Sequence, residues 1–228
     1  MYTLYIANKN YSSWSLRPWL LMRQLGIAFE ERLVPFEPTP GSGAFKSFSP
    51  SGKVPCLFDD GTVVWDSFAI TEYLAERHEG IWPREPKARV WARCAAAEMH
   101  SGFLALRERC TMNVGVRVRL TAIPAALRAD LDRLDELWRS GLDTFGGPFL
   151  TGGAFCAVDA FFAPVAFRVQ TYGLQLSEPA MRYAQHLLGL PETKSWSDSA
   201  LQEPWRDPAH EAEARGAGTW LADLRRSP

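Results

Sequence analysis

The chain has 228 residues, 46% of them hydrophobic and 22% charged, so it can bury one sizeable core or form two small domains. Its 25 basic and 26 acidic residues give a net charge of −1, a balance that disfavours a nucleic-acid-binding protein. The four cysteines lack zinc-ligand spacing, which predicts free thiols and no metal. The sequence shows no secretory signal and no apolar run of about 18 residues, which predicts a cytoplasmic protein without membrane contact.

The first third of the chain alternates between strand and helix patterns. The first predicted elements are a strand at 3–7, a helix with Leu16, Leu20 and Leu25 on one side, and a strand at 29–34. An irregular loop is predicted at 35–52. It is followed by strands at 54–58 and 63–65 around an Asp-Asp-Gly-Thr turn, and by a helix at 67–78. This βαβ–ββα order predicts a small α/β domain.

The rest of the chain has only helical patterns. A linker at 80–86, with one glycine and two prolines, predicts the division into a domain at 1–80 and a second at 86–228. The helices predicted after it cover 87–109, 122–141, 158–173, 179–190 and 191–201. The apolar segment 158–173 is predicted to be the buried central helix of the second domain.

A first candidate site lies where the first strand gives way to the first helix, at Ser12 and Ser13. The start of a helix presents free N–H groups and a positive dipole end, which together stabilise an anion such as a thiolate. With Ser15 as the N-cap, Pro18 would be the third helical residue. Local pattern alone favours the alternative that these serines merely cap the helix.

Two further junctions offer groups to a ligand. A cis bond at Val54–Pro55 would turn the Val54 backbone towards an extended peptide, although a trans bond is the more frequent geometry. Asp66 and Ser67 begin the next helix, where they can either cap it or hold the ammonium and carboxylate groups of a ligand. Together, the three junctions predict a crevice for a short, anionic, peptide-like thiol.

These segments resemble those of the cytosolic glutathione transferases over nearly the whole chain. Residues 12–17, S-S-W-S-L-R, resemble the S-S-x-x-x-R signature of the serine-type, zeta-like group, which includes the maleylacetoacetate isomerases. Residues 50–57 resemble the family's N-P-x-G-K-V-P-x-L segment with its cis-proline, and 66–74 resemble its E-S-x-A-I-x-x-Y-L segment. The resemblance implies a thioredoxin-like α/β domain followed by an all-α helical bundle.

The resemblance also implies a function and a set of site residues. The protein would be a homodimeric detoxification enzyme that uses glutathione as co-substrate, activates it as a thiolate and adds it to a small electrophile, which the sequence does not identify. Ser12 or Ser13 would stabilise the thiolate, and the other residues implied to hold glutathione are Lys53, Val54, Pro55, Asp66 and Ser67. The residues expected to line the acceptor pocket are Tyr11, Trp14, Arg107, Met112 and Asn113.

The chain departs from the family pattern at three positions. Trp14 stands where isomerases have a cysteine, Asp66 replaces a longer Glu or Gln, and Cys156 replaces the hydroxyl of a capping box with Asp159. The alternatives are therefore a glutathione-dependent isomerase, dehalogenase or etherase, or a protein that binds glutathione or a partner protein without catalysis. The four histidines, at positions 78, 100, 186 and 210, are expected to be structural or surface residues.

Overall fold

The computed structural model describes residues 1–36 and 43–225. The chain begins with a four-stranded sheet in the order β2-β1-β3-β4. Its strands are β1 (Tyr2–Ile6), β2 (Phe29–Leu33), β3 (Cys56–Asp59) and β4 (Thr62–Trp65). β1 pairs with β2 in parallel, whereas β3 pairs antiparallel with β1 and β4. The predicted hairpin is thus confirmed, and the described part of the predicted loop holds a short 3-10 helix, Ala44–Ser47.

Two helices pack against this sheet, and the first begins earlier than the sequence predicted. Helix α1 spans Ser13–Gln24, with Ser12 rather than Ser15 at the N-cap position, and helix α2 spans Ser67–Ala75. The earlier start follows from a tight turn, in which the amides of Tyr11 and Ser12 both donate to the carbonyl of Asn8. Pro18 is therefore inside α1, where it removes one helical hydrogen bond.

Helices dominate the rest of the chain. They are α3 (Pro86–Ser101), α4 (Leu104–Arg109), α5 (Ala125–Phe145), α6 (Ala157–Tyr172), α7 (Glu178–Gly189), α8 (Pro191–Gln202) and α9 (Pro208–Ala217). Every residue of α6 except Gln170 is buried, and α6 contacts α1, α3 and α7. The prediction of a buried central helix is confirmed.

The single helix predicted over 87–109 is wrong, because the chain breaks at Gly102. There the backbone is extended, and a Cβ at position 102 would lie 2.8 Å from the carbonyl oxygen of Glu98. Phe103 then adopts a left-handed conformation with φ of 56° before α4 begins. The break divides the predicted helix into α3 and α4.

The predicted fold class is confirmed, with one addition that the sequence analysis missed. Strands β5 (Val116–Leu120) and β6 (Gly218–Asp223) form an antiparallel pair within the helical part of the chain. The pair joins the chain after α4 to the segment that follows α9. Among residues 1–36 and 43–225, no helix is long and apolar enough to cross a membrane.

The end of α8 is tied to the start of the chain by a buried carboxylate. Glu203 accepts hydrogen bonds from the amide nitrogens of Lys9, at 2.7 Å, and Asn10, at 3.3 Å. Burial raises the pKa of Glu203 to about 7, and the two backbone hydrogen bonds oppose that rise. This contact fixes the turn before Ser12 against the helical part of the molecule.

The predicted capping box at the start of α6 is confirmed. The Cys156 amide donates to Oδ2 of Asp159 at 3.0 Å, and the Cys156 side chain faces the backbone of Asp159 in return. A thiol is a weaker acceptor than a hydroxyl, so the main hydrogen bond of the capping box is the one that the Asp159 carboxylate accepts from the Cys156 amide.

Cys156→Ser is expected to raise the free energy of unfolding by about 0.5 kcal/mol, because serine is a preferred N-cap residue. Urea unfolding of the wild type and the variant measures the change. Cys110→Ser, the same substitution at a fully buried cysteine that occupies no helix N-cap, should instead lower stability by about 1 kcal/mol. A loss of stability in both variants would show that the thiol serves the cap as well as a hydroxyl.

Candidate functional site

Two clefts meet at the start of α1. The larger, of about 560 Å³, lies between α1, α4, α6 and α9, and the smaller, of about 400 Å³, lies between Val54–Pro55 and the start of α2. Trp14, Lys53 and Val54 line both clefts. All of the sequence-predicted site residues except Asn113 therefore face one continuous depression.

The two serines at the head of α1 differ in their hydrogen bonds. Ser12 is buried, and its hydroxyl donates to Oγ of Ser15 at 2.7 Å. Ser13 is half-buried, and its Oγ accepts from Nη2 of Arg168 at 3.4 Å. The proton of the Ser12 hydroxyl is thus already committed, whereas Ser13 only accepts and keeps its own proton for a ligand.

Three arginines converge on the same cleft, from α1, α4 and α6. Arg17 is 2% exposed and Arg168 is 5% exposed, yet none of Arg17, Arg107 and Arg168 forms an ion pair with a described residue. Burial, with repulsion from the other two arginines, lowers the pKa of Arg17 well below its usual value. Burial and repulsion from Arg107 lower the pKa of Arg168 to about 10. This surplus of buried positive charge fits an anionic ligand.

Trp14 holds two of these arginines in place. The guanidinium carbon of Arg17 lies 4.2 Å from the centre of the Trp14 ring, and that of Arg107 lies 4.7 Å from it. Such cation–π contacts favour guanidinium groups. Position 14, where the isomerase pattern has cysteine, therefore carries an aromatic platform in this chain.

The smaller cleft presents backbone groups at Val54. The Val54–Pro55 peptide bond is cis, and the β3 ladder begins only at Cys56. Val54 thus lies outside the sheet and lines the cleft, next to Lys53, whose side chain is exposed.

Asp66 and Ser67 form the other wall of the smaller cleft. Asp66 caps α2 through Oδ1, which accepts from the Phe68 amide at 2.7 Å, while its Oδ2 lies 3.6 Å from Nε2 of His100. The buried Ser67 hydroxyl accepts from Nη1 of Arg17 at 3.5 Å. Capping thus engages one oxygen of Asp66 and leaves the other beside His100.

His100 lines neither cleft but contacts three residues that do, a supporting position that sequence reasoning missed. Its Nδ1 lies 3.4 Å from Nη1 of Arg17, and its ring packs edge-on against Trp14 at 5.2 Å. Burial lowers the pKa of His100, and Asp66 opposes that shift. Its position on α3 was the only available sequence signal, since it belongs to no recognisable motif.

The residues predicted for the acceptor pocket separate into two groups. Tyr11, Trp14, Arg107 and Met112 line the larger cleft. Asn113 is fully buried instead, where its side chain accepts from Asn10 and donates to Glu211, so it braces the chain behind the cleft wall. Lining residues that the sequence analysis did not identify are Arg17, Phe36, Phe45, Gly52, Met99, Glu108, Thr111, Arg168, His210 and Glu213. Within residues 1–36 and 43–225, no cluster of His, Cys, Asp and Glu could hold a metal ion.

Comparison with known proteins assigns the class. Residues 11–77 match the model of the glutathione S-transferase N-terminal domain, and residues 117–212 match that of the C-terminal domain. The chain is 25% identical over 182 residues to maleylacetoacetate isomerase from Rattus norvegicus, covering 76% of this chain and 81% of the relative. It is also 30% identical over 102 residues to a probable maleylacetoacetate isomerase from Caenorhabditis elegans. That match covers 44% of this chain and about half of the relative, 47%.

Solved structures agree on the fold. A glutathione transferase homologue from Burkholderia, solved with bound glutathione, superposes with a TM-score of 0.65 at 21% identity, over 87% of this chain and 97% of the other. The fold, the two matched domains and the site at the head of α1 define a protein of the two-domain, glutathione-transferase type. The chain belongs to the glutathione S-transferase family.

Proposed function

We propose that the protein is a glutathione transferase that binds glutathione, activates it as a thiolate and adds it to an electrophilic small molecule. The observation that carries this proposal is the set of three arginines without ion-pair partners in the described structure that line one cleft with Ser13, at the start of α1. Positive charge, a helix N-terminus and a hydroxyl donor each favour the ionised form of a bound thiol. The thiolate is the nucleophile, so this arrangement raises its fraction at neutral pH.

The two clefts suit the parts of the tripeptide. Oδ2 of Asp66 and the Ser67 hydroxyl would hold the γ-glutamyl ammonium and carboxylate, with Arg17 adding positive charge beside Ser67. The Val54 backbone would pair with the cysteinyl unit, and Lys53 would lie near the glycyl carboxylate. These roles place the thiol beside Ser13, where the larger cleft opens for the electrophile.

Ser13→Ala is expected to raise the pKa of the bound glutathione thiol by about one unit or more, with glutathione affinity changed only a few-fold. The reason is that Ser13 keeps a free hydroxyl proton, while Ser12 donates its own to Ser15. Ultraviolet absorbance of the bound thiolate, followed against pH, measures the shift, and calorimetry measures the affinity.

Ser12→Ala is the matched variant, and it should keep the thiolate signal. Loss of that signal in Ser12→Ala alone would assign the role to Ser12 instead. Tight glutathione binding without turnover of any electrophile would favour the alternative of a non-catalytic binding protein.

A second candidate function is a glutathione-dependent isomerase, which the names of the two relatives favour. The same thiolate would add to a double bond, allow rotation and leave again. Trp14, in place of the isomerases' cysteine, supports the transferase as the leading proposal. An assay of cis–trans isomerisation, run beside one of stable adduct formation, separates the two.

Other properties of the protein are proposed with the function. The domain limits 1–80 and 86–228 enclose the matched segments 11–77 and 117–212. We infer a homodimer in the cytoplasm, acting in detoxification, from membership of the family. Sedimentation of the purified chain tests the dimer.

A further inference from the structure

A histidine and an aspartate form a pair on the wall of the larger cleft. His210 lies in the first turn of α9, and its Nδ1 is 2.6 Å from Oδ2 of Asp207, whose side chain is 11% exposed. A carboxylate only accepts, so Nδ1 carries a proton and donates it. Nε2 forms no hydrogen bond with any residue in the described part of the chain, so it is the ring atom left for a ligand.

Two aromatic rings hold the imidazole in a fixed position. The His210 ring stacks on Tyr11 and on Phe36, each with a centroid separation of 5.1 Å. Tyr11 is itself fixed, because its hydroxyl donates to Oε1 of Glu211 at 2.7 Å and accepts from Nη1 of Arg225 at 3.1 Å. Tyr11, Ser12 and Ser13 line the same cleft, so this bracket fixes the His210 ring on the cleft that the serine pair also lines.

Carboxylates as well as arginines line the cleft. Glu213 lies one turn beyond His210 along the same face of α9, and Glu108 lies next to Arg107 on α4. α4, which carries Glu108, contacts α9. The arginines favour a thiolate in this cleft. Ser13 and His210 line the same cleft, so it can hold an anionic nucleophile and a proton donor together.

We propose that His210, positioned by Asp207, donates a proton to the acceptor as the thiolate adds to it, a role that rests on the transferase function proposed above. With a conjugated ketone, the sulfur lone pair forms the new C–S bond and the double-bond electrons move to the carbonyl as an enolate. In the imidazolium form of His210 both ring nitrogens carry protons, and the proton on Nε2 then passes to the enolate. The neutral His210 that remains takes up a proton from the solvent, which balances the proton that glutathione released to the solvent on forming the thiolate.

Two acceptors separate this role from a structural one. Addition to benzylideneacetone needs a proton, whereas displacement of chloride from chlorodinitrobenzene uses the same thiolate without one. His210→Gln should lower kcat for benzylideneacetone at least about ten-fold and change kcat for chlorodinitrobenzene by less than about two-fold. Imidazole in the buffer should restore the benzylideneacetone rate of His210→Ala and leave its chlorodinitrobenzene rate unchanged.

Asp207→Asn isolates the positioning role. Asp207 also caps α9 by accepting from the His210 amide at 3.0 Å, and asparagine is an equally good N-cap residue, so the helix should persist. The variant should lower kcat selectively for benzylideneacetone. His78→Gln, outside both clefts, is the matched control and should alter neither rate.

Each remaining outcome is informative. Equal losses on both acceptors in His210→Gln, or no loss on either, would overturn the proton-donor role while leaving the transferase function intact. A wild-type protein that turns over neither acceptor and forms no bound thiolate would contradict the proposed function itself. The two failures differ because the second appears before any substitution is made.

Discussion

Arg17→Met should weaken glutathione binding by more than about 100-fold, or about 2.7 kcal/mol, and should leave the ligand-free fold at least as stable as the wild type. Arg17 is buried without an ion-pair partner, its Nε has no hydrogen-bond partner in the described structure, and burial and neighbouring arginines lower its pKa. Its charge therefore destabilises the empty protein, because Asp66 compensates it only in part, and an anionic ligand would compensate the rest. Methionine fills a similar volume against Trp14 and Phe161 without the charge.

Calorimetry measures the glutathione affinity of Arg17→Met, and urea unfolding of the ligand-free protein measures its stability. Arg23→Met is the matched control, because Arg23 lies on the exposed side of the same helix and stacks on Trp19 and Phe29. It should leave glutathione affinity unchanged. Strong destabilisation of the ligand-free Arg17→Met protein would contradict the argument, since it would give Arg17 a structural role.

Local sequence pattern was sufficient for those parts of the fold that depend on near neighbours. The serine pair at a strand–helix junction, the hairpin around Asp60–Gly61 and the capping box of Cys156 with Asp159 all involve residues close in sequence. The exact start of α1 was not predictable, because it depends on a turn whose two amides converge on the Asn8 carbonyl.

The rest of the site depends on contacts between distant residues. Arg168 reaches Ser13 across 155 positions, and His210 reaches Tyr11 only because α9 returns to the cleft. No local pattern distinguishes such an arginine or histidine from a surface residue. One missed element did have a signal, since Val116–Leu120 alternates apolar and basic residues as a strand with one buried face would.

Asp159→Ala should lower the free energy of unfolding by about 3–5 kcal/mol, the largest stability effect expected in this chain. The fully buried Asp159 carboxylate accepts from the Leu150 amide at 3.1 Å, the Tyr183 hydroxyl at 2.9 Å and the Cys156 amide at 3.0 Å. Alanine leaves all three buried donors without an acceptor, and each unsatisfied group costs about 1–3 kcal/mol.

Urea unfolding at pH 8 is the appropriate measurement. Burial raises the pKa of Asp159 to about 6, against the backbone hydrogen bonds that lower it, so the carboxylate is ionised at that pH. Asp159→Asn should fall between alanine and the wild type, because one amide oxygen replaces two acceptors and the new NH₂ group faces a donor. Tyr183→Phe removes only one donor and should cost no more than about 1.5 kcal/mol.

The double variant Asp159→Ala with Tyr183→Phe tests the mechanism. If the cost comes from unsatisfied donors, removing the Tyr183 hydroxyl should recover part of it. The double variant should then lose less stability than the sum of the losses in the two single variants. Full additivity would show that Asp159 acts without Tyr183. Arg168 lines the cleft from the same α6, so glutathione affinity reports whether α6 keeps its position. We expect the folded Asp159→Ala protein to keep wild-type affinity well below its melting temperature. Weakened binding there would mean that the capping box also sets the position of α6 at the site.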